Sequence, residues 1–270
     1  MRSVKYQMEN IVKFHKIFTA ATSPMRSDKA ALGTLPSAAF QYCEPVRTAS
    51  AFGWYIFPPK DIRLMWDGVD TYYDDEGEWC SFSSIHLDDE FLDYWDVHAP
   101  EDLKGCAPPF LTNIFVPGIV QIWSGLLVSS AEKWSVMIGQ LLNVPASQSF
   151  VCFEGIVETD VFKPCPLFVN IKLQTTHREI LIPKEKPLFQ VRPIRRECYA
   201  ETTLQHTEFE GLSPKLDNSG SMSEEDWNGY RSTVRKVEPT VENRAPGAYA
   251  SGTRRRAMQD RQKEKELVGD

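Results

Sequence analysis

A series of short apolar runs between residues 110 and 194 constrains the fold of this chain more than any other feature. The runs are rich in β-branched and aromatic residues and are separated by Gly, Ser and charged residues: Ile119–Trp123, Leu126–Ser129, Trp134–Ile138, Phe150–Glu158, Leu167–Leu173, Glu179–Ile182 and Leu188–Val191. Strands at this spacing are typical of a barrel or a double sheet. No helix-length segment with a 3.6-residue period interrupts them, which disfavours a doubly wound α/β sheet.

The apolar runs form the core of a predicted β-rich globular domain over residues 1–204, with the core at 110–194. Within this domain, residues 67–102 hold thirteen acidic side chains and no Lys or Arg, interleaved with aromatic rings. A wholly solvated acidic segment would not carry so many rings. We therefore expect a loop-rich acidic insertion that lies on the domain with its carboxylates in water.

The C-terminal third of the chain has a different composition. Ser221-Met-Ser-Glu224 is a capping box and predicts a helix from about residue 222 to 234. Its apolar stripe of Trp227, Tyr230 and Val234 predicts that the segment 205–238 docks on the core. Residues 239–270 are charged and almost free of apolar side chains, which predicts a disordered tail.

Bulk charge and cysteine usage limit the class of protein. The formal net charge of −7 repels phosphate backbones, so nucleic acid is disfavoured as a partner. Charged residues among the first twenty positions break any signal-peptide core, and no window approaches the roughly 18 apolar residues of a membrane span. The six cysteines are scattered and form no Cys-x-x-Cys pair. We expect a soluble cytoplasmic protein with reduced thiols and no membrane contact.

Three short sequence segments resemble a known group of proteins. Glu154-Gly-Ile-Val-Glu-Thr-Asp160 is followed some thirty residues later by Pro187-Leu-Phe-Gln-Val-Arg-Pro193, and Phe52-Gly-Trp54 stands upstream. Together they resemble a group of uncharacterised bacterial and phage proteins that carry a domain of unknown function. The resemblance covers roughly residues 40–200. It implies a common fold and supplies no activity.

The same segments are also distantly similar to the β-clip fold of dUTPases and dCTP deaminases. In that family a Gly-x-Ile-Asp hairpin packs over the base and a later turn contributes a Gln that closes the barrel. The resemblance implies that Glu158 occupies the position of the water-activating carboxylate and that Gln190 matches the structural Gln. The fold class that follows is mainly β: a β-clip-like barrel or double sheet with a few short helices and a C-terminal helix.

The phosphate-binding positions of that family are not matched. The segment Gly139-Gln-Leu-Leu-Asn143 stands where an Arg and a Ser are needed and contains neither. The Gly-rich C-terminal arm of the family is absent as well. Because a triphosphate needs cationic side chains and backbone N–H groups, we expect the fold to be shared without the nucleotide chemistry.

A second chemical pattern is a candidate metal triad. His86, Asp88 and His177, followed by Arg192, have the order of a non-haem Fe(II) triad with its 2-oxoglutarate arginine. The His-x-Asp spacing places two ligands on the same side of a strand. The alternative is that these are unrelated surface residues, because His86 lies within a run of acids.

Aromatic and polar residues of the strands are candidates for a ligand pocket. Trp54 and Trp123 could line it, with Gln121, Asn170 and Arg192 as its polar groups. The alternative is that the rings are core residues. Outside the core, Arg254-Arg-Arg256 could meet an acidic partner or could keep the tail solvated.

Three functions remain open. The first is a β-scaffold binding or assembly protein without a recognisable catalytic motif, of the kind found in phages, with a homo-oligomer and a small-molecule ligand as candidate partners. The second is a small-molecule biosynthetic enzyme that uses the Fe(II) triad. The third is a degenerate dUTPase-like hydrolase that uses Glu158.

Overall fold

Short antiparallel strands dominate the computed structural model, which describes residues 10–17, 21–202, 224–234 and 248–268. In these residues, fifteen strands form three sheets of six, five and four strands. Five α-helices and two short 3-10 turns complete the described elements. The predicted mainly β class, with few helices and a C-terminal helix, is confirmed.

The six-stranded sheet is built around one long strand. Its members are β1 (Val12–Lys16), β7 (Ser84–Ile85), β8 (Leu111–Asn113), β9 (Ile119–Ser130), β11 (Phe150–Cys152) and β13 (Cys165–Leu173). The order is β11-β13-β9-β8-β7, and β1 pairs with the distal half of β9. The two predicted runs at 119–123 and 126–129 are therefore one continuous strand, which bends at Gly125 with φ +78°.

The five-stranded sheet contains a close backbone contact that only glycine allows. Its strands are β2 (Met25–Arg26), β3 (Trp54–Ile56), β10 (Trp134–Gly139), β12 (Gly155–Val157) and β15 (Phe189–Arg195), in the order β12-β10-β15-β3-β2. Gly53 precedes β3 with φ +106°, and a Cβ there would lie 2.0 Å from the carbonyl oxygen of Val191. Any side chain at this position would push β3 away from β15.

Gln190 ties three segments of this unit together from within β15. Its side chain is fully buried and donates to the Phe52 carbonyl (2.8 Å) and the Ser27 hydroxyl (3.0 Å). Its amide oxygen accepts the N–H of Leu142 at 2.8 Å. A buried amide with both ends satisfied fixes loop positions.

The four-stranded sheet corrects the prediction for residues 67–102. Its strands are β4 (Ile62–Trp66), β5 (Thr71–Asp75), β6 (Glu78–Ser81) and β14 (Ile180–Ile182), in the order β14-β4-β5-β6. A helix, α3 (Asp89–His98), and β7 follow within the acidic segment. The segment is thus largely ordered structure: Thr71 and Tyr73 are buried on one face of β5, and Tyr72 and Asp74 alternate with them on the other face.

The described parts of residues 28–51 and 204–270 form a compact unit by themselves. Its described helices are α1 (Ser37–Tyr42), α2 (Glu44–Ser50), α4 (Glu224–Val234) and α5 (Ala248–Val268). Helix α4 is the helix predicted from the capping box; residues 222 and 223 lie outside the described residues. Its docking on the β core stays a prediction.

Helix α5 corrects the prediction of a disordered tail for residues 248–268. The segment is poor in apolar residues, but Ala, Arg, Lys, Gln and Glu are strong helix formers. Helical propensity, rather than an apolar face, accounts for this element. Among the helices in the described residues, none has both the length and the apolar composition needed to cross a membrane.

Candidate functional site

A cavity of about 220 Å³ lies where the face of β9 and β13 meets β10 and β12. Its walls come from the six-stranded sheet, from the five-stranded sheet and from the link between β11 and β12. The lining residues are Gln121, Ile138, Phe153, Glu154, Gly155, Val157, Cys165, Pro166, Phe168, Val169 and Asn170. Two of the polar residues predicted for a ligand site, Gln121 and Asn170, are among them.

Gln121 and Asn170 form an amide pair in the cavity. They stand directly opposite each other in the ladder between β9 and β13. The side-chain N–H of Gln121 donates to the amide oxygen of Asn170 at 3.1 Å. Alternation along β9 sends the neighbours Val120 and Ile122 into the core, so the amide of Gln121 points to the opposite face.

Glu154 supplies a fixed carboxylate to the same cavity. It accepts the backbone N–H of Gln140 at 3.0 Å and forms a charge-assisted hydrogen bond with Arg192. Its side chain is nevertheless 47% exposed, whereas that of Arg192 is 8% exposed. A Cβ at Gly139 would lie 2.0 Å from this carboxylate. The glycine thus provides the space in which the carboxylate is held.

Apolar groups complete the lining. Phe153 is 42% exposed, and Phe168 packs partly against the core. Cys165 is half-buried, and burial raises the pKa of its thiol. The thiol therefore stays protonated at neutral pH and is a weak nucleophile.

The aromatic candidates lie elsewhere. Trp123 is fully buried, donates its indole N–H to the Leu126 carbonyl at 3.0 Å and packs on Phe91. Trp54 contacts Phe14 edge to face at 5.5 Å and lies beneath the guanidinium of Arg26. Neither ring lines the cavity. Both tryptophans pack against other side chains, as in the alternative interpretation. Arg192 reaches the site only through Glu154.

Glu158 lies next to the cavity lining but outside it. It faces the guanidinium of Arg196 at 3.6 Å. The same guanidinium binds the carboxylate of Asp160. Glu158 and Asp160 therefore share one cation, Arg196.

The structure does not bring His86, Asp88 and His177 together as a metal site. Asp88 caps α3 by accepting the N–H of Phe91 at 2.7 Å. His177 has φ +56° and donates its backbone N–H to the Trp66 carbonyl at 2.7 Å. Within the described residues, no group of three His, Cys, Asp or Glu side chains is arranged to hold a metal ion. Asp88 therefore serves as the N-cap residue of α3.

Among the lining residues that sequence reasoning missed are Phe153, Glu154 and Phe168. Phe168 and Asn170 alternate on one strand, so their shared face could have been read from β13. Glu154 carried no such signal. Its partner Arg192 is 38 positions away and only the sheet pairing brings them together.

Comparisons with known proteins give limited information. No family model matches the chain, so the resemblance to a domain family of unknown function is not supported. No curated protein matches it either. Solved structures with similarity to it include the dUTPase from phage phi11 of S. aureus, with a TM-score of 0.35 and 12% identity over 69% of this chain and 90% of that one.

Another similar structure is the dUTPase of Staphylococcus bacteriophage 80alpha with dUPNHPP. It has a TM-score of 0.35 and 12% identity, and covers 79% of this chain and 99% of that one. TM-scores this low carry no residue role to this chain. The mainly β class rests on the strands themselves.

Proposed function

We propose that this chain is a binding protein for a small cyclic amide-type ligand, held in the cavity that contains Gln121 and Asn170. The observation that carries the proposal is the amide pair itself, which lines a mostly apolar cavity and is fixed by the register of β9 and β13. Pockets of this kind combine mostly apolar lining with a few placed polar groups.

The hydrogen-bonding capacity of the pair defines the ligand chemistry. Gln121 uses one N–H to reach the Asn170 oxygen. Its own oxygen and the Asn170 amide N–H groups then offer an acceptor and donors side by side. This arrangement complements the adjacent N–H and C=O of a lactam, an imide or a heterocyclic amide. Phe153 and Phe168 supply faces for the ring.

The titratable groups that line the cavity favour binding over catalysis. They are Glu154 and Cys165. Glu154 is held by Arg192, and the thiol of Cys165 has a raised pKa. A nucleophilic mechanism needs an activated nucleophile within reach of a base. The Cys165 thiol lacks this activation.

The test uses 2-pyridone as the probe and N-methyl-2-pyridone as its matched control. Saturation-transfer NMR should detect binding of 2-pyridone, and methylation of the N–H should abolish it. Asn170→Leu should weaken binding about tenfold, because one buried hydrogen bond contributes roughly 1.4 kcal/mol. Gln174→Leu is the matched control, because Gln174 is exposed and lies outside the lining.

Two results would overturn the proposal. Equal binding of both compounds, or equal effects of Asn170→Leu and Gln174→Leu, would remove the amide pair from ligand recognition. Hydrolysis of a deoxynucleoside triphosphate by the wild type that disappears in Glu158→Gln would replace binding by the dUTPase-like alternative.

A further inference from the structure

A second cavity, of about 320 Å³, lies within the helical unit. It lies between the segment at Lys29, helix α2 and helix α5, all parts of residues 28–51 and 204–270. Its lining residues are Lys29, Glu44, Arg47, Arg254, Ala257, Met258 and Arg261. It is separate from the cavity assigned above and shares no residue with it.

A single buried carboxylate organises the cations of this cavity. Glu44 has a side-chain exposure of 7% and pairs with Lys29 at 3.8 Å, Arg47 at 2.9 Å and Arg254 at 3.1 Å. Arg254 also donates to the Gln41 carbonyl at 2.6 Å. These contacts hold the guanidinium groups of Arg47 and Arg254 in place. The two side chains therefore lose little conformational entropy when a ligand binds.

Among the residues that line the cavity, cationic side chains outnumber carboxylates. Four cationic side chains line the cavity against one carboxylate. Arg261 has no hydrogen bond or ion pair to any side chain among the described residues. The buried Nε of Arg47 likewise finds no hydrogen-bond partner there. An unsatisfied buried guanidinium N–H costs free energy unless an acceptor arrives.

The helical period of α5 explains why only part of its basic run faces the cavity. Arg254, Ala257, Met258 and Arg261 follow the spacing i, i+3, i+4, i+7 and so share one face. The neighbouring Arg255 belongs to the same sequence run but does not line the cavity. The basic run noted in the sequence is therefore divided into cavity and surface positions.

We propose that this cavity binds a small molecule that carries a phosphate group. Guanidinium groups present parallel N–H donors that match phosphate oxygens in bidentate geometry. The volume lies within the range of small-molecule pockets. A nucleic-acid backbone is the weaker candidate, because the chain carries a net charge of −7 and the cationic groups line one cavity rather than an extended stripe.

Isothermal titration of the full chain with inorganic pyrophosphate tests the site, with sodium chloride added to match ionic strength. We expect saturable binding that Arg261→Gln weakens about tenfold, as expected for loss of one charge-assisted contact. Arg255→Gln is the matched control, because it removes the same charge from the same helix outside the cavity. Far-UV circular dichroism of both variants checks that α5 is retained.

Each alternative result decides against the proposal. Absence of saturable binding would show that Glu44 and its cations only hold α5 on α2. Equal weakening by Arg255→Gln and Arg261→Gln would indicate diffuse attraction without a site. Tighter binding of an oligothymidylate than of pyrophosphate, lost in Arg255→Gln, would assign the cations to nucleic acid.

Discussion

At the scale of single residues, Asp160 shows how the environment sets a charge. Burial opposes ionisation of this carboxylate, but it accepts the backbone N–H of Lys133 at 2.9 Å and the guanidinium of Arg196. These hydrogen bonds outweigh burial and lower the pKa of Asp160 from its ordinary 3.8. The C-terminal end of the segment that carries the family resemblance is thus anchored by a carboxylate.

The lowered pKa predicts a pH-dependent effect of Asp160→Asn. A folded-state pKa below the unfolded value stabilises the protein at pH values above 3.8, and this stabilisation is lost as pH falls through the lowered pKa. Wild type should therefore exceed the variant in free energy of unfolding at neutral pH, and the gap should narrow below about pH 4. Urea titrations of both proteins at several pH values measure this difference in free energy of unfolding.

The control for this prediction is Asp102→Asn, which changes an exposed carboxylate. Its effect should be small at every pH. A gap for Asp160→Asn that stays constant between neutral and acidic pH would contradict the assigned role of the carboxylate.

At the scale of elements, β9 depends on one hydroxyl at its bend. The pairing of β13 with β9 shifts register between Pro166 and Phe168, which leaves Leu167 outside the regular ladder. The buried hydroxyl of Ser124 donates to the Leu167 carbonyl at 2.8 Å and accepts the Leu126 N–H at 3.4 Å. A side chain therefore satisfies backbone groups that the bulge removes from the sheet.

Removal of this hydroxyl should destabilise the fold. Ser124→Ala leaves two buried backbone groups without their partner, and we expect a loss of about 1–3 kcal/mol in the free energy of unfolding. Ser129→Ala, on the same strand, removes only an exposed contact with His15 and should cost no more than ~0.5 kcal/mol. Equal midpoints of chemical denaturation for the two variants would contradict the role of Ser124.

At the scale of the whole molecule, the six cysteines differ in how deeply their side chains are buried. All six are free. Cys80, Cys106 and Cys198 are exposed, whereas Cys152 is buried. Burial, with a smaller contribution from the charge of Glu154, raises the pKa of the Cys152 thiol to about 12. Since the thiolate is the reactive form, accessibility and protonation both protect Cys152.

This distribution predicts graded reactivity with Ellman's reagent at neutral pH. The three exposed thiols should react first, the half-buried Cys43 and Cys165 more slowly, and Cys152 only after denaturation. Cys152→Ala should remove the phase that appears on unfolding and leave the fast phase unchanged. Release of all six thiols in one fast phase from the native protein would contradict the burial of Cys152.

Local patterns in the sequence determined the elements. The predicted run Trp134–Ile138 lies within β10, and α4 lies within the range predicted from the capping box. Both signals depend on residues a few positions apart, so they can be recognised in the sequence without knowledge of the fold. Local composition was misleading where two signals competed, as in the acidic segment, because solvated carboxylates and buried rings can alternate on one strand.

Only the tertiary structure decided which residues meet. Gln121 and Asn170 were recognised from sequence as polar strand residues, but they are 49 positions apart and become an amide pair through the register of β9 and β13. Arg254 meets Glu44 across 210 positions by the packing of two helices. Local free energies determine where strands and helices form, whereas long-range burial determines their pairing. The β strands could therefore be predicted from the sequence, whereas both cavities could be identified only in the folded chain.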